Sequence, residues 1–148
     1  FSTGNINRAK FFNVQNDAID FSGSIANIEN SYFDTINDKI ISAGERSKIN
    51  VNQVEAINSH AGIISKDGSE VFSKNIYFNG VKIPFAAYQK KNEYDYPLLE
   101  AKNYELQNFS TRSIKDKTAK IIINDETLEM KANQIISLMY EKNFSLIE

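Results

Sequence analysis

The sequence contains no cysteine and no tryptophan, and only 2 of its 148 residues are proline. Without cysteine, the chain can form neither disulfide bonds nor thiolate metal sites. Hydrophobic residues make up 41%, enough for a sizeable core, but no apolar run is long enough for a transmembrane helix. The 17 basic and 19 acidic residues are well mixed and give a net charge of −2. We therefore expect no nucleic-acid partner and no membrane insertion.

Short runs of β-forming residues alternate with Asn, Ser, Gly and Asp, which is typical of an all-β chain with frequent turns. Three stretches share an isoleucine-centred strand, a glycine-containing turn and a closing serine, at Ser24, Ser47 and Ser69. The serines are 23 and 22 residues apart. Because a fixed period of this length is the signature of a solenoid, we predict coils of about 22 residues.

Counting onward from each serine predicts which residues lie above one another in successive coils. Positions two, four and nine beyond the serine are mostly apolar, as in Phe33, Ala56 and Phe78. Strands stacked about 4.8 Å apart would join these residues into a continuous core. Position six carries amides, which predict either a hydrogen-bonded ladder or simple turn residues: Asn30, Gln53, Asn75 and Asn103.

The predicted architecture is an all-β parallel β-helix of about five coils over residues 1–107, followed by a cap over residues 108–148. Lys120 to Asn124 and Thr127 to Met130 are predicted to pair as a hairpin. Apolar residues then fall on one face of a predicted helix over 132–142: Ala132, Ile135, Ile136, Met139 and Tyr140. Such a cap would cover the open strand edges of the last coil.

Over residues 11–107 this repeat resembles the pectate-lyase-like superfamily of right-handed parallel β-helices. The resemblance implies a right-handed solenoid and a polysaccharide partner, within a larger bacterial surface or polysaccharide-related protein. It leaves the activity open, because that superfamily includes lyases, hydrolases, tailspikes, adhesins and non-catalytic scaffolds. The sequence begins at Phe1 without a basic segment and apolar stretch, so we expect further coils or a domain upstream, with a cell-envelope or extracellular location favoured.

Acidic residues recur near the same turn of successive coils. One interpretation is a carboxylate pair for glycoside hydrolysis or a calcium-assisted lyase, and the other is a solvated turn with weak ion pairs. The candidate catalytic residues are Asp17, Asp20, Asp38, Glu45 and Asp67, with Lys39 or Lys66. His60 is the single histidine, so the sequence supports neither a zinc site nor a histidine-based triad, and we predict no metal or cofactor.

The segment 83–97 lengthens one coil and is rich in tyrosine and charge. Tyrosine rings can stack on sugar rings, and loops on a rigid scaffold often carry function. The candidate ligand-binding residues are Tyr88, Lys90, Lys91, Glu93, Tyr94 and Tyr96. The alternative is a structural loop that packs on the side of the solenoid with Tyr88 inside.

Strand alternation predicts a further surface. If Ile19, Ile40 and Ile63 point inward, Ile41 and Ile64 point outward and form an apolar interface strip for another domain, another protomer or the C-terminal segment. Three hypotheses for function follow. The chain is a non-catalytic carbohydrate-associated module, a polysaccharide lyase or glycoside hydrolase, or a structural rod that oligomerises.

Overall fold

The chain folds as an all-β, right-handed parallel β-solenoid of about six turns in a computed structural model that describes residues 2–124, 126, 127 and 139. The strands are β1 (Ser2–Asn7), β2 (Lys10–Val14), β3 (Ile19–Ser22), β4 (Ser24–Ile36), β5 (Lys39–Gly44), β6 (Lys48–Lys66), β7 (Glu70–Tyr88), β8 (Leu98–Gln107), β9 (Ser113–Lys115), β10 (Lys120–Ile123) and β11 (Glu126–Thr127). All strand pairs but one are parallel, and β4, β6, β7 and β8 each lie between their counterparts in the neighbouring coils.

The serines that define the repeat are vertical neighbours, as predicted. The backbone N–H of Ser24 donates to Ser47 Oγ at 3.1 Å, and the N–H of Ser47 donates to Ser69 Oγ at 3.1 Å. Ser47 and Ser69 are fully buried, so these bonds satisfy polar groups that water cannot reach. The 22-residue spacing therefore corresponds to one coil.

The core is built from the stacked apolar positions that the repeat predicts. One column consists of Ala26, Ile49, Val71 and Leu99, and another contains Phe33, Ala56 and Phe78. At the N-terminal end the ring of Phe11 stacks on Phe33 with centroids 4.9 Å apart. Buried apolar area of this kind stabilises a fold by roughly 25 cal/mol per Å², so the stacked columns are the main source of stability.

Each coil bends at three corners, where residues adopt positive φ. The first corner separates a first side (24–29 and the residues paired with them) from a second side (31–34 and the residues paired with them). Its residues have φ between 51° and 59° and are Arg8, Asn30, Gln53, Asn75 and Asn103. Asparagine tolerates this left-handed conformation better than most residues, which explains its abundance at the corners.

The second corner, beyond the second side, stacks Asn13, Thr35, Asn58, Gly80 and Asn108. It leads to a third side (39–44 and the residues paired with them). The third corner returns the chain to the first side, and its positive-φ residues are Gly23, Glu45, Arg46, Asp67 and Gly68. The corners fix the direction in which outward side chains point on each side.

The predicted amide column exists, but its hydrogen bonds follow a different path from a simple ladder. Asn103 Nδ2 donates to Asn75 Oδ1 within the column. Asn75 Nδ2 instead donates to Asn52 at 2.8 Å, and Asn30 Nδ2 donates to Asn7 at 3.1 Å. The acceptors in those two bonds lie one position before the corner, on the first side.

On the third side the predicted register is wrong by one residue. Ile19 pairs with Ile41, and Ile41 pairs with Ile63, so the spacing is 22 in both steps. The prediction aligned Ile19 with Ile40. Positions 40 and 41 are both isoleucine, so the sequence pattern could not show which of them aligns with Ile19. The backbone pairing shows that Ile41 does.

The solenoid continues beyond residue 107, where the sequence placed the boundary of the cap. β9 pairs in parallel with β7, and β10 pairs in parallel with β8. The predicted hairpin is also present, since β10 and β11 pair antiparallel through Ile122 with Thr127. β10 is thus both the final rung in the described part of the chain and one arm of the hairpin. Of the predicted helix over 132–142, only Met139 lies within the described residues, where it is buried.

Candidate functional site

The acidic residues proposed for catalysis do not converge on one cleft. Asp17 and Asp38 flank the buried Lys39, whose Nζ lies 3.4 Å and 3.1 Å from their carboxylates and whose side chain is only 3% exposed. The Lys39 backbone N–H also donates to Asp17 at 3.1 Å. Burial raises the pKa of Asp17, and the neighbouring ammonium opposes that rise. This group is a structural ion-pair cluster at the start of the third side.

Asp67 and Glu45 hold the loop that follows β7. The buried Asp67 carboxylate accepts backbone N–H groups of Lys90 and Lys91, each at 2.7 Å. Glu45 accepts from Lys91 Nζ at 2.9 Å and from the Tyr94 hydroxyl at 3.0 Å. These bonds lower the pKa of Glu45 and raise the pKa of both Lys91 and Tyr94. Both carboxylates are therefore anchors of the loop.

The remaining candidates lie apart from these clusters. Asp20 is exposed on the third side, in the same column as Ser42 and Ile64. Lys66 is half-buried at the end of β6. Within the part of the chain that the structure describes, no group of three His, Asp or Glu side chains could hold a metal ion.

The loop itself is largely packed against the solenoid. Tyr88 is completely buried in an apolar cluster with Ile64 and Met139, so the prediction that it contacts a ligand is wrong. Tyr94 is half-buried and lies beneath the Arg46 guanidinium, 5.2 Å from the ring centroid. Tyr96 is 68% exposed. Lys90 and Glu93 of the same loop are also exposed, and their role in ligand binding stays a prediction.

The predicted exposed strip of Ile41 and Ile64 does not exist. Both side chains are completely buried. Ile41 belongs to the main core because the third side has the register given above. Ile64 does point away from the core, but it packs against Ile83, Ile114 and Met139 in a second cluster. The proposed interface therefore offers no accessible apolar surface.

The second side carries an arrangement that none of these predictions included. Its outward column reads Lys10, Tyr32, Glu55, Tyr77 and Glu105, so tyrosine and glutamate alternate from coil to coil. Tyr32 and Tyr77 are two coils apart, or roughly 10 Å given the spacing of neighbouring strands. Tyr77 is 37% exposed and Glu55 is exposed between the two rings. Partial burial and the carboxylates of Asp34 and Glu55 raise the pKa of Tyr32.

A groove of about 410 Å³ runs between this column and the amides of the first corner. Ser31 and Val54 lie on its floor and are buried. Its walls are tyrosine and glutamate on one side and amides on the other: Tyr32, Glu55, Tyr77, Asn30, Gln53 and Asn75. Flat aromatic faces, carboxylate acceptors and amide groups can together stack on a sugar ring and hydrogen-bond its hydroxyls.

The outward residues of this groove could have been identified from their position in the sequence repeat. Tyr32, Glu55 and Tyr77 each lie eight residues beyond a repeat serine. Alternation from the buried Phe33, Ala56 and Phe78 at position nine requires position eight to point outward. Counting that outward position would have found the column.

No protein-family model matches the chain, and no curated protein or solved structure matches it either. Among the described residues, no helix has the length and apolar character needed to cross a membrane. The case for function therefore depends on the groove itself.

Proposed function

We propose that this β-helix is a non-catalytic carbohydrate-binding module that holds a glycan in the groove on its second side. The observation that carries the proposal is the pair of outward tyrosines, Tyr32 and Tyr77, lying two coils apart with the exposed Glu55 between them. Protein aromatic rings and sugar rings pack face to face, and carboxylates accept bonds from sugar hydroxyls.

The rigidity of the backbone supports binding. Every rung of the groove is hydrogen-bonded to rungs above and below, and the corner residues Asn30, Gln53 and Asn75 are fixed in the same left-handed conformation. A site that is already ordered before the ligand arrives loses little conformational entropy on binding. A polysaccharide partner is also what the resemblance to the pectate-lyase-like superfamily implies, and we include membership of that superfamily in the proposal.

The alternative of a polysaccharide lyase or hydrolase has less support. A glycosidase needs two carboxylates about 5 to 10 Å apart that are accessible to the substrate. Asp17 and Asp38 are engaged by Lys39, while Asp67 and Glu45 are engaged by the loop. The residues predicted for catalysis therefore supply no accessible pair. Glu55 and Glu105 of the second side are exposed and roughly 10 Å apart, so an assay for reducing ends or unsaturated products released from a bound polysaccharide tests this alternative, and we expect it to detect none.

The test is affinity electrophoresis against a panel of soluble neutral, cationic and anionic polysaccharides, followed by titration calorimetry with the oligosaccharide of any that bind. Tyr32→Ala and Tyr77→Ala should each weaken binding by about fivefold, since one stacking contact is worth about 1 kcal/mol. Tyr96→Ala, which removes an exposed tyrosine outside the groove, is the matched control and should bind normally. Binding that is lost in Tyr96→Ala and kept in the groove variants would assign the ligand to the 83–97 loop instead.

A further inference from the structure

The alternation of tyrosine and glutamate on the second side also specifies the kind of glycan, provided that the proposed groove binds one at all. Tyr32, Glu55, Tyr77 and Glu105 give one aromatic face and one carboxylate in every two coils. The column runs along the solenoid axis, so a ligand that contacts all four residues must lie across the strands rather than along one of them. A linear polymer whose features recur with the same two-coil period would match it.

A chain of β-1,4-linked hexoses has this periodicity. Successive rings are turned over relative to one another, so a given ring face and a given substituent recur on one side every second sugar. The spacing of two coils, roughly 10 Å, is comparable with the length of one disaccharide in such an extended chain. One ring would stack on each tyrosine, and the substituent between them would face a carboxylate.

The charge on the second side indicates which substituent is favoured. Asp34, Glu55 and Glu105 all point outward there, and none of the three forms an ion pair within residues 2–124. Asp34 accepts only a hydrogen bond from the neighbouring Thr35 hydroxyl, at 2.9 Å. Lys10 is the single cation in the two outward columns of the second side, and it lies at their N-terminal end.

Arg8 lies at the N-terminal end of the first-corner column, and the lysines further along the groove belong to a different surface. Lys74 and Lys102 stack on each other one position before the first corner, and they line a separate groove on the first side together with Glu29 and Glu100. Lys102 Nζ lies 3.8 Å from a Glu100 carboxylate oxygen on that side. The tyrosine groove thus combines an acidic wall with a neutral amide wall.

We infer that the groove selects a linear β-linked glycan that carries free amino groups, such as oligomers of glucosamine, over polymers of uronic acids. The ammonium groups of alternate sugars face Glu55 and Glu105, while the rings between them stack on Tyr32 and Tyr77. A polyuronate would place its carboxylates against the same acidic column and be repelled.

The test compares four oligosaccharides of equal length by titration calorimetry at mildly acidic pH and low salt: glucosamine hexamer, its fully N-acetylated form, cellohexaose and hexagalacturonate. The glucosamine hexamer should bind about fivefold or more tightly than either neutral oligomer, since each exposed charge pair contributes up to about 1 kcal/mol. Added salt should remove that advantage because the carboxylates are exposed. The hexagalacturonate should bind weakest.

The double variant Glu55→Gln, Glu105→Gln keeps the shape of both side chains and removes their charge. It should abolish the preference for glucosamine while leaving the neutral oligomers within twofold of the unmodified protein. Glu70→Gln, which removes a half-buried carboxylate of the first side that pairs with Lys48, is the control outside the groove and should keep the preference. Circular dichroism melting of each variant checks that the fold is retained.

The outcomes separate this inference from the proposed function. Equal binding of glucosamine and neutral oligomers, unchanged in the double variant but lost in Tyr32→Ala, would overturn the charge selection and leave the glycan groove standing. Tighter binding of the hexagalacturonate would overturn it in the same way. Binding of no glycan by the unmodified protein would overturn both.

Discussion

The third side and the second side carry similar residue types but use them in opposite ways. On the third side and its adjoining loop, lysines, carboxylates and tyrosines are engaged with one another, as Lys39 is with Asp17 and Tyr94 is with Glu45. On the second side, Tyr77 and Glu55 point into solvent from a flat stack of strands. A cluster of charged residues and tyrosines in the sequence therefore indicates a binding surface only where the fold does not use those side chains in internal hydrogen bonds and ion pairs.

Covering segments account for the difference. The third side is overlaid by Met139, and its loop folds back onto Asp67 and Glu45. The second side is bounded by the corners at Asn30 and Thr35, and no long loop leaves either corner within residues 24–66. Its outward residues therefore remain accessible.

The largest effect should come from removing the buried cation of the third side. Lys39→Met leaves Asp17 and Asp38 beside each other without a counter-charge, and breaking a buried ion pair in this way costs about 3 kcal/mol or more. Urea unfolding followed by circular dichroism measures the loss. Lys10→Met removes an exposed lysine from the second side and should change the free energy of unfolding by less than about 0.5 kcal/mol. Similar losses in the two variants would contradict the contrast between the two sides.

A smaller effect is expected at the loop anchor. Asp67→Ala removes the acceptor of two backbone N–H groups and places alanine at a φ of 49°, which together cost about 2 kcal/mol. Asp67→Asn tolerates that φ and retains an acceptor, so it should lose clearly less. Urea unfolding of the two variants and of Asp34→Ala, on the second side, makes the comparison. A loss in Asp34→Ala as large as that in Asp67→Ala would show that open carboxylates matter equally to stability.

The smallest effect is a pH dependence at Glu45. Its folded-state pKa is lowered by hydrogen bonds from Lys91 and Tyr94, so its contribution to stability is present above the ordinary value of 4.5 and disappears as the pH falls through the lowered one. Glu45→Gln should therefore be less stable than the unmodified protein at neutral pH and equally stable in acid. Lys91→Met should show the same pattern, and the double variant should be no worse than either single one. A difference that persists in acid would exclude this ion pair as its cause.

Much of the fold could be predicted because successive coils of a solenoid carry the same sequence pattern. Ser24, Ser47 and Ser69 identify the period, and stacking follows from it, as the Ser24–Ser47 and Ser47–Ser69 hydrogen bonds confirm. The register failed only where two isoleucines, Ile40 and Ile41, are adjacent. The end of the solenoid was placed too early because β9 and β10 have only three and four residues, too few to show a clear strand pattern in the sequence.

The groove was not predicted because it combines single residues from separate coils. Tyr32, Glu55 and Tyr77 are distant in sequence and none stands in a cluster, whereas segment 83–97 concentrates tyrosine and charge within one loop. The sequence prediction favoured the loop because its tyrosines and charged residues are close together in the sequence. Burial of Tyr88 and Ile64 likewise depends on Met139, a residue more than fifty positions from either, which sequence periodicity does not connect to them.

The most direct test of the central claim is an amide-resolved NMR titration of the protein with glucosamine hexamer and, separately, with cellohexaose. Chemical shifts should change in three successive rungs of the second side, around Tyr32, Glu55 and Tyr77, and at the adjoining corner amides. Residues 89–97 and the third side should stay unchanged. Shifts concentrated in that loop, or no shifts with either oligomer, would contradict a glycan-binding groove on the second side.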